Sequence, residues 1–491
     1  MKLWEAVEKH GRKTALVDAA SGSRISYDEL ATRTATLASL LEAEGVSAGD
    51  RVAVLANGSV RTFELLVACS RLGAILVPLN TRLAEPELAN VFGIAEPSVL
   101  FADEAHASRA RAIGAEPSAL YGAPKRLPAA VNTLARCLDP TGATNSSANC
   151  LPAEPNTSPN CLPRPVVLLF TSGTTGRAKG ALLTEGGIAA NASSTARAWG
   201  VCADDVGLVD APLFHTGGLN VLATPLLFAG GTVVVAPRFD ADASAELLVR
   251  ERCTLAFGVP QMLERLAATV VLARGAVRLF VTGGAPCPRA LHDAYSMQNA
   301  RIVQGFGMTE CGPNCFRPVE GQDASSVGVP TFDLEARLDD DGELLLRGPH
   351  VFAGYFRDDA ATRAALDDDG WLRTGDVLRR DDARGWRVVG RCKEMFISGG
   401  ENVYPAEVEI AIAEHPSVRE VAVVAATDPR WGESGVAFVI PNGAPPSDAE
   451  LRAFVRARLA GYKVPRAFVV ADELPRTASG KIDKRSLRAS L

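Results

Sequence analysis

Residues 168–180 read Leu168-Leu-Phe-Thr-Ser-Gly-Thr-Thr-Gly-Arg-Ala-Lys-Gly180, and the rest of the chain is organised around them. Val166 to Phe170 is an apolar run of the length and character of a short buried strand. It passes into a segment where Thr171, Ser172, Thr174 and Thr175 are interleaved with Gly173, Gly176 and Gly180. Glycine lets backbone N–H groups turn toward a ligand and removes the Cβ that would keep the ligand away. The hydroxyls add donors and Lys179 adds a mobile positive charge. Together these are the parts of a phosphate cradle. The Walker A pattern is excluded, because Lys179 lies between Ala178 and Gly180 and no Ser or Thr follows it. On composition alone, a polar surface loop after a strand fits as well.

The totals narrow the class. At 491 residues the chain exceeds one ordinary core, so two or more domains are expected. With 47% hydrophobic and 22% charged residues it has the composition of a globular protein. A formal charge of −6 leaves no basic footprint for nucleic acid. The ten cysteines include no CxxC pair, which fits free thiols in a reducing compartment. The charged N-terminus lacks the apolar core of a signal peptide, and no apolar run reaches the length of a membrane span. The cytoplasm is the default expectation.

Upstream of the central stretch, Ser26 and Glu29 make a capping-box pattern for a helix running to about Val46. Arg51–Ala56 and Ala74–Pro78 read as strands on either side of a helix, Phe63–Leu72. A helix from Glu85 and a strand at Ser98–Ala102 come next. This rhythm predicts α/β layers with a parallel sheet. It resumes downstream at Asp204–Asp210, Thr232–Ala236, Leu255–Gly258 and Val277–Thr282. Between them, residues 139–165 are rich in Pro, Asn, Ser and Thr and read as a loop-like insert with no assigned function. Asp339-Asp-Asp-Gly342 and Asp367-Asp-Asp-Gly370 mark turns in a β-rich part over about 327–390. A compact α+β unit completes the chain, and the boundary is placed at Gly390–Lys393.

The string TSGTTGRAKG resembles the signature loop of the adenylate-forming enzymes, which include acyl-CoA synthetases, peptide-synthetase adenylation domains and luciferases. The resemblance recurs, in that superfamily's order, along almost the whole chain. Pro212-Leu-Phe-His-Thr-Gly-Gly218 is similar to the segment at the carboxylate pocket, which implies that His215 guards the acyl site. Val281-Thr-Gly-Gly-Ala-Pro286 is similar to the strand end whose Gly283, Gly284 and Ala285 line the adenine and acyl pockets. Gln304-Gly-Phe-Gly-Met-Thr-Glu310 resembles the string that stacks adenine and meets the α-phosphate and Mg²⁺. That implies Phe306 as stacker, Thr309 at the phosphate, Glu310 at the metal, and Gln304, Gly305 and Gly307 around the nucleotide. Phe306 stands where the superfamily usually has Tyr.

Gly370-Trp-Leu-Arg-Thr-Gly-Asp376 resembles the ribose clamp, with Asp376 accepting from both ribose hydroxyls. In Gly390 to Pro405 the resemblance implies Arg391 at the ribose or phosphate and Lys393 as hinge. It also implies that Gly399, Gly400 and Glu401 belong to a loop lining a pantetheine tunnel. Leu474-Pro-Arg-Thr-Ala-Ser-Gly-Lys481 resembles the C-terminal lysine motif, with Lys484 and Arg485 read as a solvated basic face.

The resemblance implies an α/β fold in two domains. A large N-terminal adenylating domain, 1–390, combines layered α/β subdomains with a β-rich part. A small mobile α+β domain, 391–491, carries Lys481 and turns about Lys393. The implied reaction joins a small carboxylic acid to AMP with release of pyrophosphate, then passes the acyl group to CoA. ATP and CoA are substrates, and Mg²⁺ is held by Glu310 and Thr171. The nearest rival passes the acyl group to a carrier-protein pantetheine in trans or to an amine; no carrier segment is visible at either end. A rival of another class is a non-catalytic nucleotide- or acyl-binding protein on the same scaffold. The residues expected around the acid (His215, Gly217 to Asn220, Val259, Pro260, Gly284 and Met308 to Gly312) are mostly small or apolar, which favours a neutral aliphatic or aromatic acid.

Overall fold

A computed structural model describes residues 1–114, 119–121, 164–172, 178–269, 275–322, 325–398, 400–477 and 481–491. Two large sheets form the first part of the chain. One has seven strands in the order Ile302–Gln304, Leu279–Thr282, Leu255–Gly258, Val206–Val209, Thr232–Val235, Thr14–Asp18 and Arg24–Ser26. All its pairings are parallel except the N-terminal hairpin at its edge. The other has six strands in the order Ala119–Tyr121, Val99–Asp103, Arg51–Leu55, Ile75–Pro78, Pro165–Ser172 and Ala178–Thr184.

Alternation along the strands explains the layering. In the seven-stranded sheet, Leu16, Val233 and Val281 join the central core, while Val17, Val234 and Phe280 join a second core under helices Ala241–Arg250, Pro260–Ala267 and Arg289–Met297. In the six-stranded sheet, Val54, Leu76 and Val167 face the central core, while Leu55, Val77 and Leu168 face a third beneath Glu85–Ala95. Strands apolar on both faces are what a sheet covered by helices on each side requires. The central core also takes up Leu30, Leu37, Phe63 and Leu66 from the helices lying between the sheets. Each fully buried side chain of this kind contributes about 1.5–3 kcal/mol. Tyr27–Ala43 begins at the expected cap: Ser26 accepts from Glu29 N, and Glu29 reaches back to Ser26 N at 2.7 Å.

The central stretch departs from the parallel rhythm. Pro165–Ser172 pairs in parallel with Ile75–Pro78 but antiparallel with Ala178–Thr184. The strands on either side of the glycine-rich residues therefore pair antiparallel at the sheet edge. Further on come four antiparallel strands, Glu335–Leu338, Glu343–Arg347, Leu372–Arg379 and Arg387–Arg391. Their acidic turns are built by first-position aspartates. Asp339 Oδ1 accepts from Asp341 N and Glu343 N, and Asp367 Oδ1 accepts from Asp369 N and Trp371 N. The last sheet lies wholly beyond residue 395, with Val418–Asp428 and Gly432–Pro441 at its centre and Ala467–Val470 added in parallel. Helices Pro405–Ala413 and Asp448–Arg456 cover one face, and Lys484–Ala489 covers the other.

Candidate active site

The hairpin Pro165–Ser172/Ala178–Thr184 brings Thr171 opposite Lys179, and Thr171 Oγ1 donates to Lys179 O at 3.4 Å. Ser172 ends the first strand of this hairpin. Gly173, Thr174, Thr175, Gly176 and Gly399, with nearly all of the insert at 139–165, fall outside the described residues. Lys179 Nζ lies 4.9 Å from the centre of the Tyr355 ring.

The Gln304–Glu310 string leaves strand Ile302–Gln304 and ends in a single turn, Thr309–Cys311. Two glycines are sterically required there. A Cβ on Gly307 would come within 2.2 Å of the Pro313 backbone, and Gly312 sits at φ +79° where the chain folds back so that Met308 N reaches Gly312 O. Phe306 is half-buried and meets Phe316 edge-to-face at 5.2 Å, leaving an aromatic surface anchored in the core. Glu310 is buried, and its Oε1 accepts from Tyr355 Oη at 2.7 Å. Gln304 turns its side-chain carbonyl to Cys287 N at 2.9 Å, tying Gly305 to the turn after Gly283, Gly284 and Ala285. Thr282 Oγ1, just before that turn, is buried without a hydrogen-bond partner among the described residues.

Asp376 and Arg391 face each other across neighbouring strands, with Nε 2.7 Å from Oδ1. Burial lifts the Asp376 carboxyl to about 6; the charges of Arg391 and Lys481 pull it down, while Glu394 and Glu310 push it up. Lys481 feels the same groups. Its pKa is lowered by burial and then by Arg391, and raised by Asp376, Glu394 and Glu310. Its side chain is nevertheless accessible to solvent. Solvent therefore reaches an ammonium that nearby protein charges still act on. His215 feels the same ammonium: burial first, then Lys481 and Arg82, depress its imidazole to about 4. Its Nε2 is buried with no hydrogen-bond partner among the described residues, and its ring packs edge-on to Phe214 at 4.7 Å.

Side chains from positions 82, 215, 310, 376, 391 and 481 thus share one electrostatic environment. The chain matches the family model for AMP-binding enzymes over residues 3–356, and that for the AMP-binding enzyme C-terminal domain over residues 407–481. The chain belongs to the AMP-binding enzyme family. It is similar to a feruloyl-CoA synthase of Amycolatopsis sp, 39% identical with 95% of this chain and 94% of the relative covered. It is equally similar to the indoleacetate–CoA ligase of Aromatoleum aromaticum, at 39% identity with 94% and 92% covered. ATP-bound MatB from Rhodopseudomonas palustris has the same fold, with a TM-score of 0.85 at 32% identity over 100% of this chain and 99% of its own.

In this AMP-binding enzyme three features are not legible from the sequence. Tyr355, bonded to Glu310, belongs to none of the motifs quoted above. Arg82 lies in a segment that shows in the sequence only as a connection; Arg109 Nη1 donates to Thr81 O at 2.5 Å and its Nη2 reaches Leu83 O, holding the segment whose Arg82 charge acts on His215. Lys484 is not part of a solvated face. It pairs with Glu394 at 2.7 Å and Glu409 at 2.9 Å, joining the last helix to the turn that carries Lys393. Lys393 itself is exposed, as are Gly400 and Glu401 at the start of strand Glu401–Val403. Among the described residues, no three His, Cys, Asp or Glu side chains converge on a metal position, and no helix is long and apolar enough to cross a membrane.

Proposed function

We propose that the protein is an AMP-forming acid–CoA ligase acting on a neutral aromatic acid, with Lys481 as the cation of the adenylation step. The observation that supports this most is the field shared by Lys481, Asp376, Glu310 and His215, which come from widely separated parts of the chain. On this reading a nucleotide clamp, a metal-type carboxylate and a guard over the acid act together with one ammonium.

In the first half-reaction a carboxylate oxygen attacks the α-phosphorus of ATP, and the bond to the bridging oxygen breaks as pyrophosphate leaves. Negative charge grows on the phosphoryl oxygens as one anion approaches another. Lys481 and Lys179 would offset it, and Asp376 with Arg391 would hold the ribose, so positioning and charge complementarity carry the catalysis. The residues present fit Mg²⁺: Glu310 is a buried carboxylate with one oxygen free of partners among the described residues, and Thr171 is a second hard oxygen donor. Bound there, the ion would neutralise charge on the phosphate oxygens. In the second half-reaction the CoA sulfur attacks the acyl carbonyl, AMP leaves, and the thiol proton is released. His215, held near 4, is a neutral imidazole at working pH and would add no positive charge beside the acyl group.

The names of the two relatives, each a ligase of an aryl acid, support an aromatic substrate. So does Phe257, which lies beside Gly217 and Gly283 near the expected acid site. The test is a panel of acids with pyrophosphate release as readout, including hydroxycinnamates, indole acids, medium-chain fatty acids and malonate. An aryl acid is expected to give the highest kcat/KM with CoA-dependent AMP release. Malonate or a fatty acid in that place overturns the substrate assignment, and no acid-dependent pyrophosphate release overturns the ligase.

A further inference from the structure

Tyr355 connects the two ends of the phosphate site through both its backbone and its side chain. The segment Ala353–Phe356 lies along the strand that carries Lys179: Leu182 N donates to Gly354 O at 3.0 Å, Ala353 N to Leu182 O at 2.9 Å and Phe356 N to Gly180 O at 2.7 Å. One residue earlier, Phe352 N donates to Glu310 O at 2.8 Å, which fixes the Glu310 turn to the same segment. Tyr355 N is tied to Thr362 Oγ1 at 2.9 Å, and the ring packs edge-on to Phe352 at 4.9 Å. The ring therefore has little freedom. From that fixed position its hydroxyl donates to Glu310 Oε1 at 2.7 Å, and its face lies 4.9 Å from Lys179 Nζ.

A carboxylate that must bind a cation with one oxygen needs its rotamer set by the other, which is the usual task of a hydrogen bond behind a ligand. A lysine that must meet an incoming polyphosphate needs a resting place that does not neutralise it. An aromatic face attracts an ammonium without taking its charge, and more weakly than a carboxylate would. Tyr355 supplies both, with its hydroxyl donating to the carboxylate and its ring face beside the ammonium.

We propose that Tyr355 is a positioning residue: its hydroxyl orients Glu310 toward a magnesium–phosphate group, and its ring face parks Lys179 until the triphosphate arrives. The proposal rests on the ligase reading above, and its test separates the two. Binding of ATP to the full chain is measured by calorimetry with saturating Mg²⁺ and with EDTA, for the parent, Tyr355→Phe and Tyr355→Leu. The parent should bind ATP more tightly with Mg²⁺. Tyr355→Phe keeps the ring and is expected to fold as the parent does, with ATP affinity about ten- to a hundredfold weaker in Mg²⁺ and little changed in EDTA. Tyr355→Leu should also alter binding in EDTA, because Lys179 loses its resting place. Added to Glu310→Gln, Tyr355→Phe should have no further effect on the Mg²⁺-dependent part. Parental Mg²⁺ dependence in Tyr355→Phe, or full additivity with Glu310→Gln, overturns the proposal while leaving the ligase intact. A parent that binds no ATP under either condition overturns both.

Discussion

Replacing Asp376 with asparagine should make the protein more stable at alkaline pH and a poorer enzyme at the same time. Asp376 is 5% exposed, and its carboxyl is lifted from an ordinary 3.8 to about 6, with burial outweighing the attraction of Arg391 and Lys481. A difference of about two pH units favours the protonated form by about 3 kcal/mol in the folded state. Because the folded value is the higher one, that stabilisation is fully present below about pH 4 and is lost as the pH rises through about 6. Above that, the folded protein carries a buried charge that the unfolded chain keeps in water. Asparagine has the same shape and no charge. The Arg391 side chain left behind is 50% exposed, so losing its partner costs about 0–1 kcal/mol. Urea unfolding at pH 8 should therefore show Asp376→Asn more stable than the parent by about 2–3 kcal/mol, an advantage that disappears near pH 4. In the same variant kcat/KM for ATP should fall at least about a hundredfold, because the proposed ribose clamp would lose its charged acceptor for two hydrogen bonds. A variant less stable than the parent at pH 8, or one with parental ATP kinetics, would refute this reasoning.

Lys481→Ala should slow acid-dependent pyrophosphate release by about 100- to 1000-fold, as removal of one preorganised charge typically does, while thioester formation from supplied acyl-adenylate is retained. Equal loss in both assays would contradict its assignment to the first step. Lys393→Pro should spare adenylation and impair CoA transfer, since the turn it occupies leads from the four-stranded sheet into the last one; single-turnover assays of each half-reaction decide this. Gly217→Ala would place a methyl group 3.1–3.2 Å from Phe257, so kcat/KM for a hydroxycinnamate should drop about tenfold or more relative to that for acetate. An unchanged ratio would remove Phe257 from the acid pocket.

Much of the fold is legible in the sequence because its signals are local. Strands such as Arg51–Leu55 and Leu255–Gly258 are apolar on both faces, Ser26 and Glu29 announce a helix start, and the paired Asp-rich turns announce hairpins. The elements without such signals depend on distant partners. Thr14–Asp18 has only three apolar residues between polar ends, and it is a strand because Leu16 to Asp18 pair with Val233 to Val235. The segment Ala178–Thr184 resembles the tail of a loop because Lys179 and Gly180 break its apolar pattern. In the site, residues within long motifs can be named in advance, whereas Tyr355 and Arg82 gain meaning only from what lies opposite them. Lys484 looks solvated in the sequence, which does not show that Glu394 and Glu409 fold back to meet it.

The claim that an acyl-adenylate forms is tested most directly with an acid labelled with ¹⁸O in its carboxyl group. After turnover with ATP and CoA, mass spectrometry should find one labelled oxygen in AMP and none in pyrophosphate, because the carboxylate oxygen stays with the α-phosphorus when CoA takes the acyl group. Label in inorganic phosphate alongside ADP, or AMP free of label, would contradict the account.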